Sequence, residues 1–499
     1  MPFDSRQCLF PSQPVTPLNE RLPTIAIRPS ACPGLLRIVP ALDGGICRIK
    51  LAGGVIDSAQ AQAVARAAER YAGGVIEATN RANLQIRGIG KQHSALIETL
   101  LVAGLGPTTE TADTPLPAGA AGRGPIAREE DLKVDRSFAD KSLPTRLAQA
   151  SGADDVRNLM LSPSAGIDSR MLIDTRPLAS RILLTLQGHQ RFHELSAKFA
   201  VQLDGGEALA MLEHPHDLWL SALLLDDLPY LAFGLAGCPA NDPPLAAVPL
   251  AEGHGLVVAV LELFLDLARP EQTRMSHLLA AVSPAEFLAQ LTQRLGFEPV
   301  AVPSWQRSAA PGLLHIGTYP QRQPGFVYIG AVPPLGRLDA SMLDGVARLA
   351  NEFGDGSLRL TPWQSLLLPN IRVEDAAIVS ARLQRLGLSG DASDALVQLI
   401  ACTGSVGCGK GLADTKGDAR TLALRLRDQP QGVHLSGCAR SCAAAHVAPA
   451  TLLAVSPGHY DLYFRDAAQP GFGRLQARDL TIDAAGVLLE ARSRSNTDD

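Results

Sequence analysis

Aromatic residues are scarce in this chain, at 4%, and charged residues make up 19% against 46% hydrophobic. So little charge excludes a self-repelling disordered chain, and 499 residues exceed one ordinary core, so three or four domains or subdomains are expected. No uninterrupted apolar run reaches the length of a membrane span. The best candidate, 255–268, is broken by Glu262 and Asp266. The N-terminal stretch MPFDSRQCLFPSQP lacks the basic segment and apolar run of a secretory signal, which predicts a cytoplasmic protein with no membrane partner. A net charge of −5 offers no general attraction to nucleic acid, so any anion site has to be a local cluster of Arg and Lys. A G-x-G-x-x-G turn after a strand is also missing, so a nicotinamide cofactor is not expected to bind in the usual way.

What the chain does contain is repetition. PGLLRI (33–38) resembles PGLLHI (311–316), and Val64, Gly74, Thr79 and Leu84 match Val346, Gly356, Thr361 and Leu366, each 282 positions later. A second set sits at offset 244: TRPLASRIL (175–183) against ARTLALRLR (419–427), and HDLWL (216–220) against YDLYF (460–464). Offsets of 282 and 244 differ by 38, so the first half should carry about that many extra residues, and the Pro-, Gly- and charge-rich 107–144 is the expected linker. The reading is an N-terminal tail (1–29), segments 30–106 and 145–300, then copies at 306–390 and 391–490. Within 30–106, alternating ICRIKLAGG and GVIEATNRANLQIRGI flank a helical DSAQAQAVARAAERYA, which predicts an α+β architecture in two pseudo-symmetric halves.

Eight cysteines are few, yet Cys402, Cys408, Cys438 and Cys442 gather in one short stretch as C-x5-C and C-x3-C. Four soft thiolates select iron–sulfur or zinc, and small neighbours (Gly404, Gly407, Gly409, Gly437) let backbone N–H groups approach cluster sulfides. Zinc pairs are usually spaced at two to four residues, which C-x5-C fits poorly; buried structural thiols are the bland alternative. From Gly404 the stretch also reads G-x-x-x-x-G-K, but Gly411 stands where a phosphate loop needs Ser or Thr for magnesium. Cys8, Cys32, Cys47 and Cys238 show no ligand spacing and read as small buried hydrophobes.

This cysteine pattern, with Thr79, Arg81 and Gln85 as T-x-R-x-x-x-Q, resembles the sulfite and nitrite reductase superfamily. The finer resemblance, in CPGLLR, TNRANLQIRG, ACTGSVGCGKGLADTKGDARTLA and LSGCARSCAAAH, is to its cobalamin-pathway branch, the precorrin-3B synthases. The resemblance implies two halves, each with a ferredoxin-like half-domain and a larger α/β domain, and a 4Fe-4S cluster in the C-terminal half. It implies an oxygen-dependent monooxygenase that converts precorrin-3A to precorrin-3B by hydroxylation at C20 with γ-lactone formation. A mononuclear non-haem iron, no siroheme, and an external electron donor, NADH-linked or a reductase, belong to the same expectation. The rivals are a siroheme sulfite or nitrite reductase, a non-catalytic Fe–S or tetrapyrrole-binding protein and, distantly, a P-loop ATPase.

The duplication adds its own argument. Arg81, Gln85 and Arg87 become Trp363, Leu367 and Pro369 in the copy, so one half keeps a cationic strand where the other is apolar. Aligning LSAKFAVQ (195–202) with LSGCARSC (435–442) sets Lys198 opposite Cys438, as if one half presented cations and the other metal ligands. Arg81, Arg87 and Lys198 are thus expected to bind the carboxylates of a precorrin, since Arg forks suit them. Arg157, in VRNLMLSPSAG, resembles the superfamily's second anion-binding arginine. The reductases resemble this chain at LSAKFAVQ but carry a second lysine where it has Ala200, which argues against small-oxyanion reduction. His434 and His446 flank the second cysteine pair as weak candidates for iron ligands, and Lys410 and Arg440 lie among the thiols.

Overall fold

The computed structural model describes residues 32–107, 150–426, 432–466, 468–469 and 471–497. The expected tail and all but the first residue of the expected linker lie outside these.

The first module runs β1 (Val39–Ala41), β2 (Gly44–Ile49), β3 (Val55–Asp57), α1 (Ser58–Ala72), β4 (Ile76–Ala78), β5 (Leu84–Ile89) and α2 (His93–Val102). Asp57 starts α1 by accepting from Gln60 N in a capping box, and Gly73 ends it at φ 67, where a Cβ would be strained. Next come β6 (Leu159–Leu161), α3 (Arg176–Gly188), β7 (Val201–Asp204), β8 (His216–Leu225), β9 (Leu228–Gly237), β10 (Ala246–Pro249), α4 (Gly253–Leu267), α5 (Met275–Leu279) and α6 (Pro284–Leu295).

The third module repeats the first: β11 (Gly317–Pro320), β12 (Phe326–Ala331), β13 (Arg337–Leu338), α7 (Ala340–Phe353), β14 (Ser357–Leu360), β15 (Leu366–Arg372) and α8 (Ala376–Arg385). Asp339, the counterpart of Asp57 in the repeat, caps α7 through the same kind of bond, accepting from Met342 N. The fourth repeats the second: β16 (Leu399–Ala401), α9 (Thr415–Arg425), β17 (Val433–Ser436), β18 (Ala450–Ser456), β19 (His459–Phe464), β20 (Arg474–Thr481) and α10 (Ile482–Thr497).

Two features go beyond simple duplication. The first and third modules exchange a strand, for the sheets run β1-β2-β5-β4-β13 and β11-β12-β15-β14-β3. Arg337 pairs with Glu77 in one and Asp57 with Ser357 in the other, so each sheet is completed by the other half. One continuous core results, with Val64 of α1 and Val346 of α7 both fully buried in it. Burying such a side chain contributes about 1.5–3 kcal/mol, so neither module would keep its core if the halves separated.

The second feature corrects the offset of 244. Sheets β6-β7-β8-β9-β10 and β16-β17-β18-β19-β20 share one topology, three parallel strands followed by two antiparallel ones. Leu159 pairs with Val201 as Leu399 pairs with Val433, so the copies stand at offset 240 in the first strand and at offset 232 in the second. HDLWL therefore opens β8, whose counterpart is β18, whereas YDLYF lies one strand further on, in β19. Short alternating strand sequences resemble each other wherever they sit, and unequal loops hid the slip. As a consequence Lys198 does not stand opposite Cys438; Gly206 does.

Candidate active site

Both cysteine pairs occupy turns at the carboxyl ends of parallel strands, where the loops after β16 and β17 come together. Cys402 follows β16 and donates its N–H to Leu435 O at 3.3 Å, while Gly437, just beyond β17, donates to Cys402 Sγ at 3.2 Å. The glycines there are required by space. A Cβ on Gly404, at φ 68, would lie 2.6 Å from Ala413 O, and one on Gly437 3.3 Å from Cys402 Sγ. Burial and then the nearby Cys438, Cys402 and Cys408 push the Cys442 thiol up, with Arg440 pulling the other way. Four soft sulfurs gathered among small residues fit a metal cluster held by thiolates. No three His, Cys, Asp or Glu side chains among the described residues converge tightly enough for a single ion. A zinc centre needs four ligands at about 2.0–2.3 Å from one point, so the arrangement suits a cluster with separate metal corners better.

The cysteine turns are held by the first module. Buried Glu77 on β4 receives Arg337 at 2.6 Å and the Thr403 hydroxyl at 3.1 Å, and lies 3.8 Å from both Lys416 and Arg87. Burial alone would raise its carboxyl, but Lys416, Arg87 and Arg337 hold it below the ordinary range. Asn80 donates to Cys442 O at 3.4 Å, and Gln364, from the equivalent turn of the third module, donates to Ala443 O at 2.9 Å.

Beside Cys442 lies a cluster of cations. Arg81 reaches the Lys198 carbonyl at 3.5 Å, and its guanidinium is pushed down to about 10 by burial and then by the neighbouring Arg274 and Arg48. Arg48 stands opposite Gln85 in the β2–β5 register, and Gln85, with its amide oxygen turned inward, accepts from Arg48 at 3.0 and 2.6 Å. Arg274 is anchored on Asp217 at 2.9 Å, and Lys198 is exposed. Three guanidiniums, offset in part by Asp217, thus lie near one another beside the exposed Lys198 and Cys442, an opening toward solvent that favours a further anion.

Two of the four expected anion ligands are committed elsewhere. Arg87 forks onto Asp43 at 2.9 and 3.0 Å and donates to Gly407 O at 3.0 Å, so it fastens the cysteine turn to the β1–β2 hairpin. Arg157 donates to Leu105 O at 2.8 Å and lies 3.4 Å from Asp154, tying the second module to the first. Both side chains are almost completely buried, 6% and 10% exposed. Arg48 and Arg274 are the cations that stand beside Arg81 instead. The alternation of ICRIK could have singled out Arg48; nothing in the sequence marks Arg274.

His434 and His446 do not join a ligand set. His434 is 1% exposed with Nε2 unpartnered, and His446 Nδ1 lies 3.1 Å from His214 Nε2. A separate mononuclear iron therefore finds no gathered donors among the described residues. The phosphate-loop reading fails too, because Lys410 is exposed and the next helix begins only at Thr415, capped by Asp414.

Comparison with known proteins follows the same outline. A model of the nitrite/sulfite reductase ferredoxin-like half domain matches residues 40–103 and 319–386, the two strand-exchanged modules. A model of the nitrite and sulphite reductase 4Fe-4S domain matches residues 152–299, the copy that lacks all four clustered cysteines. The chloroplastic ferredoxin–nitrite reductase of Zea mays is 30% identical over 441 residues, covering 80% of this chain, and the chain spans 68% of that enzyme's length, about two thirds. A precorrin-3B synthase from Sinorhizobium sp is 26% identical over 457 residues, covering 91% of this chain and 86% of that one. Among solved structures, the Mycobacterium tuberculosis NirA protein superposes with a TM-score of 0.70 at 20% identity, over 90% of this chain and 80% of that chain, which establishes the shared fold.

Proposed function

This chain belongs to the nitrite and sulphite reductase family, and on that premise we propose that it is an iron–sulfur oxidoreductase acting on a carboxylate-bearing tetrapyrrole, with the oxygen-dependent conversion of precorrin-3A to precorrin-3B as its reaction. The observation that carries the reading is the open cationic cluster of Arg81, Arg48, Arg274 and Lys198 against the Cys442 turn. A macrocycle ringed by acetates and propionates is the kind of ligand that several guanidiniums recognise together. Length supports the branch, since the match to the precorrin-3B synthase is nearly collinear, 91% of this chain against 86% of that one.

Cys402, Cys408, Cys438 and Cys442 would hold a 4Fe-4S cluster, which supplies single electrons when bound. Arg81 and Lys198 would orient the substrate's carboxylates, while Arg48, itself fixed by Gln85, holds the floor of the opening. The overall change balances as substrate C–H plus O₂, two electrons and two protons giving C–OH and water. An external one-electron donor has to supply the electrons. No step is assigned to a second iron, whose ligands the described residues do not assemble.

Reduction of a small oxyanion on siroheme is the second reading, favoured by the 30% identity to the maize nitrite reductase. The same cations would then bind a resident tetrapyrrole. Against it stands Ala200, buried and apolar where the reductases that this chain resembles carry a further lysine.

The test is a visible spectrum with iron, sulfide and haem analysis on anaerobically purified protein, followed by incubation with precorrin-3A, a reduced carrier and O₂. A cluster shoulder without siroheme bands, and oxygen consumed in step with a hydroxylated product, is the expected result. Siroheme bands with nitrite or sulfite turnover would transfer the assignment to the second reading, and precorrin binding without oxygen consumption would leave a carrier.

A further inference from the structure

The pseudo-twofold relation brings one residue face to face with its own counterpart. His214, just before β8, and His446, just before β18, are related by offset 232, the same that relates Val201 to Val433. A twofold axis makes equivalent groups meet where it passes, and these two do. His214 Nε2 lies 3.1 Å from His446 Nδ1, with ring centroids 5.2 Å apart and the planes 28° from parallel.

The pair joins two different environments. His446, half-buried, faces His434 and the Glu213–Arg465 ion pair, which spans the halves at 3.2 Å with side chains 40% and 45% exposed. His214 is 2% exposed and faces His216 and Arg81, so it borders the cationic opening. His216 is turned away, its Nδ1 on His214 O at 2.8 Å. Burial first, and then each other's company and Arg81, hold His214 well below the ordinary imidazole range, and burial lowers His446 too. Neutral imidazoles present one donor and one acceptor nitrogen each, which is what a hydrogen-bonded chain of rings requires to pass a proton on.

We propose that His446 and His214 form a proton relay from the solvent-facing Glu213–Arg465 side into the cationic opening. His446 takes a proton at Nε2 and passes its Nδ1 proton to His214 Nε2; His214 then releases its own Nδ1 proton toward the opening. One proton enters and one leaves, and rotation of the rings restores the tautomers. The inference rests on the oxidoreductase reading but not on its branch. Each oxygen atom removed as water consumes two protons with two electrons from the carrier, whether it comes from O₂ or from an oxyanion.

The experiment compares wild-type holoenzyme with His446→Gln and His214→Gln, using an NADH-driven reductase as donor for precorrin-3A with O₂, or dithionite-reduced methyl viologen without oxygen for nitrite or sulfite, whichever the wild type turns over. Expected for each variant is turnover slowed about 100-fold or more, in the range of a lost proton-transfer group, with KM and the cluster spectrum unchanged. The solvent deuterium effect should grow, and free imidazole should restore part of the rate. His446, at the outer end and only half-buried, keeps the test open if His214→Gln folds poorly. Unaltered rate and pH profile in His446→Gln, or a slower rate with neither deuterium sensitivity nor imidazole rescue, would overturn the relay. A wild type inert toward precorrin, nitrite and sulfite would instead overturn the function on which it rests.

Discussion

The second and fourth modules place the same turns at the ends of the same strands and fill them in opposite ways. At offset 240, Ser162 and Asp168 stand where Cys402 and Cys408 are; at offset 232, Gly206 and Ala210 stand where Cys438 and Cys442 are. In the thiol-free copy the turns satisfy themselves. Ser162 donates to Leu209 O at 2.6 Å, and one oxygen of Asp168 accepts from Ser164 at 2.8 Å and from Ala208 N at 3.0 Å. Arg307 forks onto Asp204 at 2.6 and 3.1 Å and closes the space behind them. In the thiol-bearing copy Cys402 Sγ accepts from Gly437 N at 3.2 Å and lies 3.5 Å from the Thr415 hydroxyl, and no comparable side-chain network joins the four sulfurs among the described residues. One copy satisfies its own turns; on the proposed reading the other would receive a cluster.

The most severe way to break this contrast is to exchange what stands at the paired positions 408 and 168. Cys408→Ser should abolish the visible cluster spectrum and its iron and sulfide, with the rest of the fold retained. Asp168→Ala should leave iron content intact and instead remove the acceptor of the Ser164 hydroxyl and of three backbone donors, at a cost of about 3 kcal/mol in denaturant unfolding. An intact spectrum in Cys408→Ser would remove the ligand assignment.

A second exchange tests how the turns are held. Glu77 and Arg359 are equivalent at offset 282, yet opposite in charge. Glu77 grips the cysteine turn through Thr403, while Arg359 donates to Pro163 O at 2.9 Å and Ala165 O at 2.8 Å in the thiol-free turn. Glu77→Gln leaves Lys416 and Arg337 without their counter-charge and should cost roughly 3 kcal/mol, because breaking a buried pair exposes the desolvation it had offset. It should also lower the iron retained after dialysis. Arg359→Gln should destabilise to a similar degree without affecting iron, and equal iron loss in both would mean that Glu77 merely supports the fold.

How much of this was legible depended on the kind of signal. The 282 repeat could be read because α1 and α7 carry matching caps and matching buried valines, and helical periodicity tolerates no slip. The exchange of β3 and β13 could not be read. Strands of three and two residues carry no pattern that names a partner sheet. The offset of 244 misled because strand alternation repeats every second residue and cannot tell β18 from β19. That the four cysteines come together was legible because their spacing is local, whereas the surroundings of Arg81 were only half so. Arg81 and Arg87 stand on the same strand–turn unit, but only the fold shows that Asp43, on the neighbouring hairpin, claims Arg87.

That last distinction gives the smallest expected effect and the sharpest one. Burial first, and then Arg274 and Arg48, hold Arg81 down at about 10, so it remains charged at neutral pH while burial and like charge oppose its contribution to folding. Arg81→Ala should therefore leave unfolding free energy unchanged or slightly raised, and weaken tetrapyrrole binding about tenfold, the scale of one lost charge-assisted hydrogen bond. Arg87→Ala should do the reverse, destabilising the hairpin and the cysteine turn with little direct effect on the binding of tetrapyrrole by protein that remains folded. Binding by fluorescence quenching and stability by urea unfolding, measured on both, separate a residue kept for a ligand from one kept for the fold. If both variants lose affinity equally, the opening beside Cys442 extends to Arg87 and the pairing with Asp43 has to yield when the ligand enters.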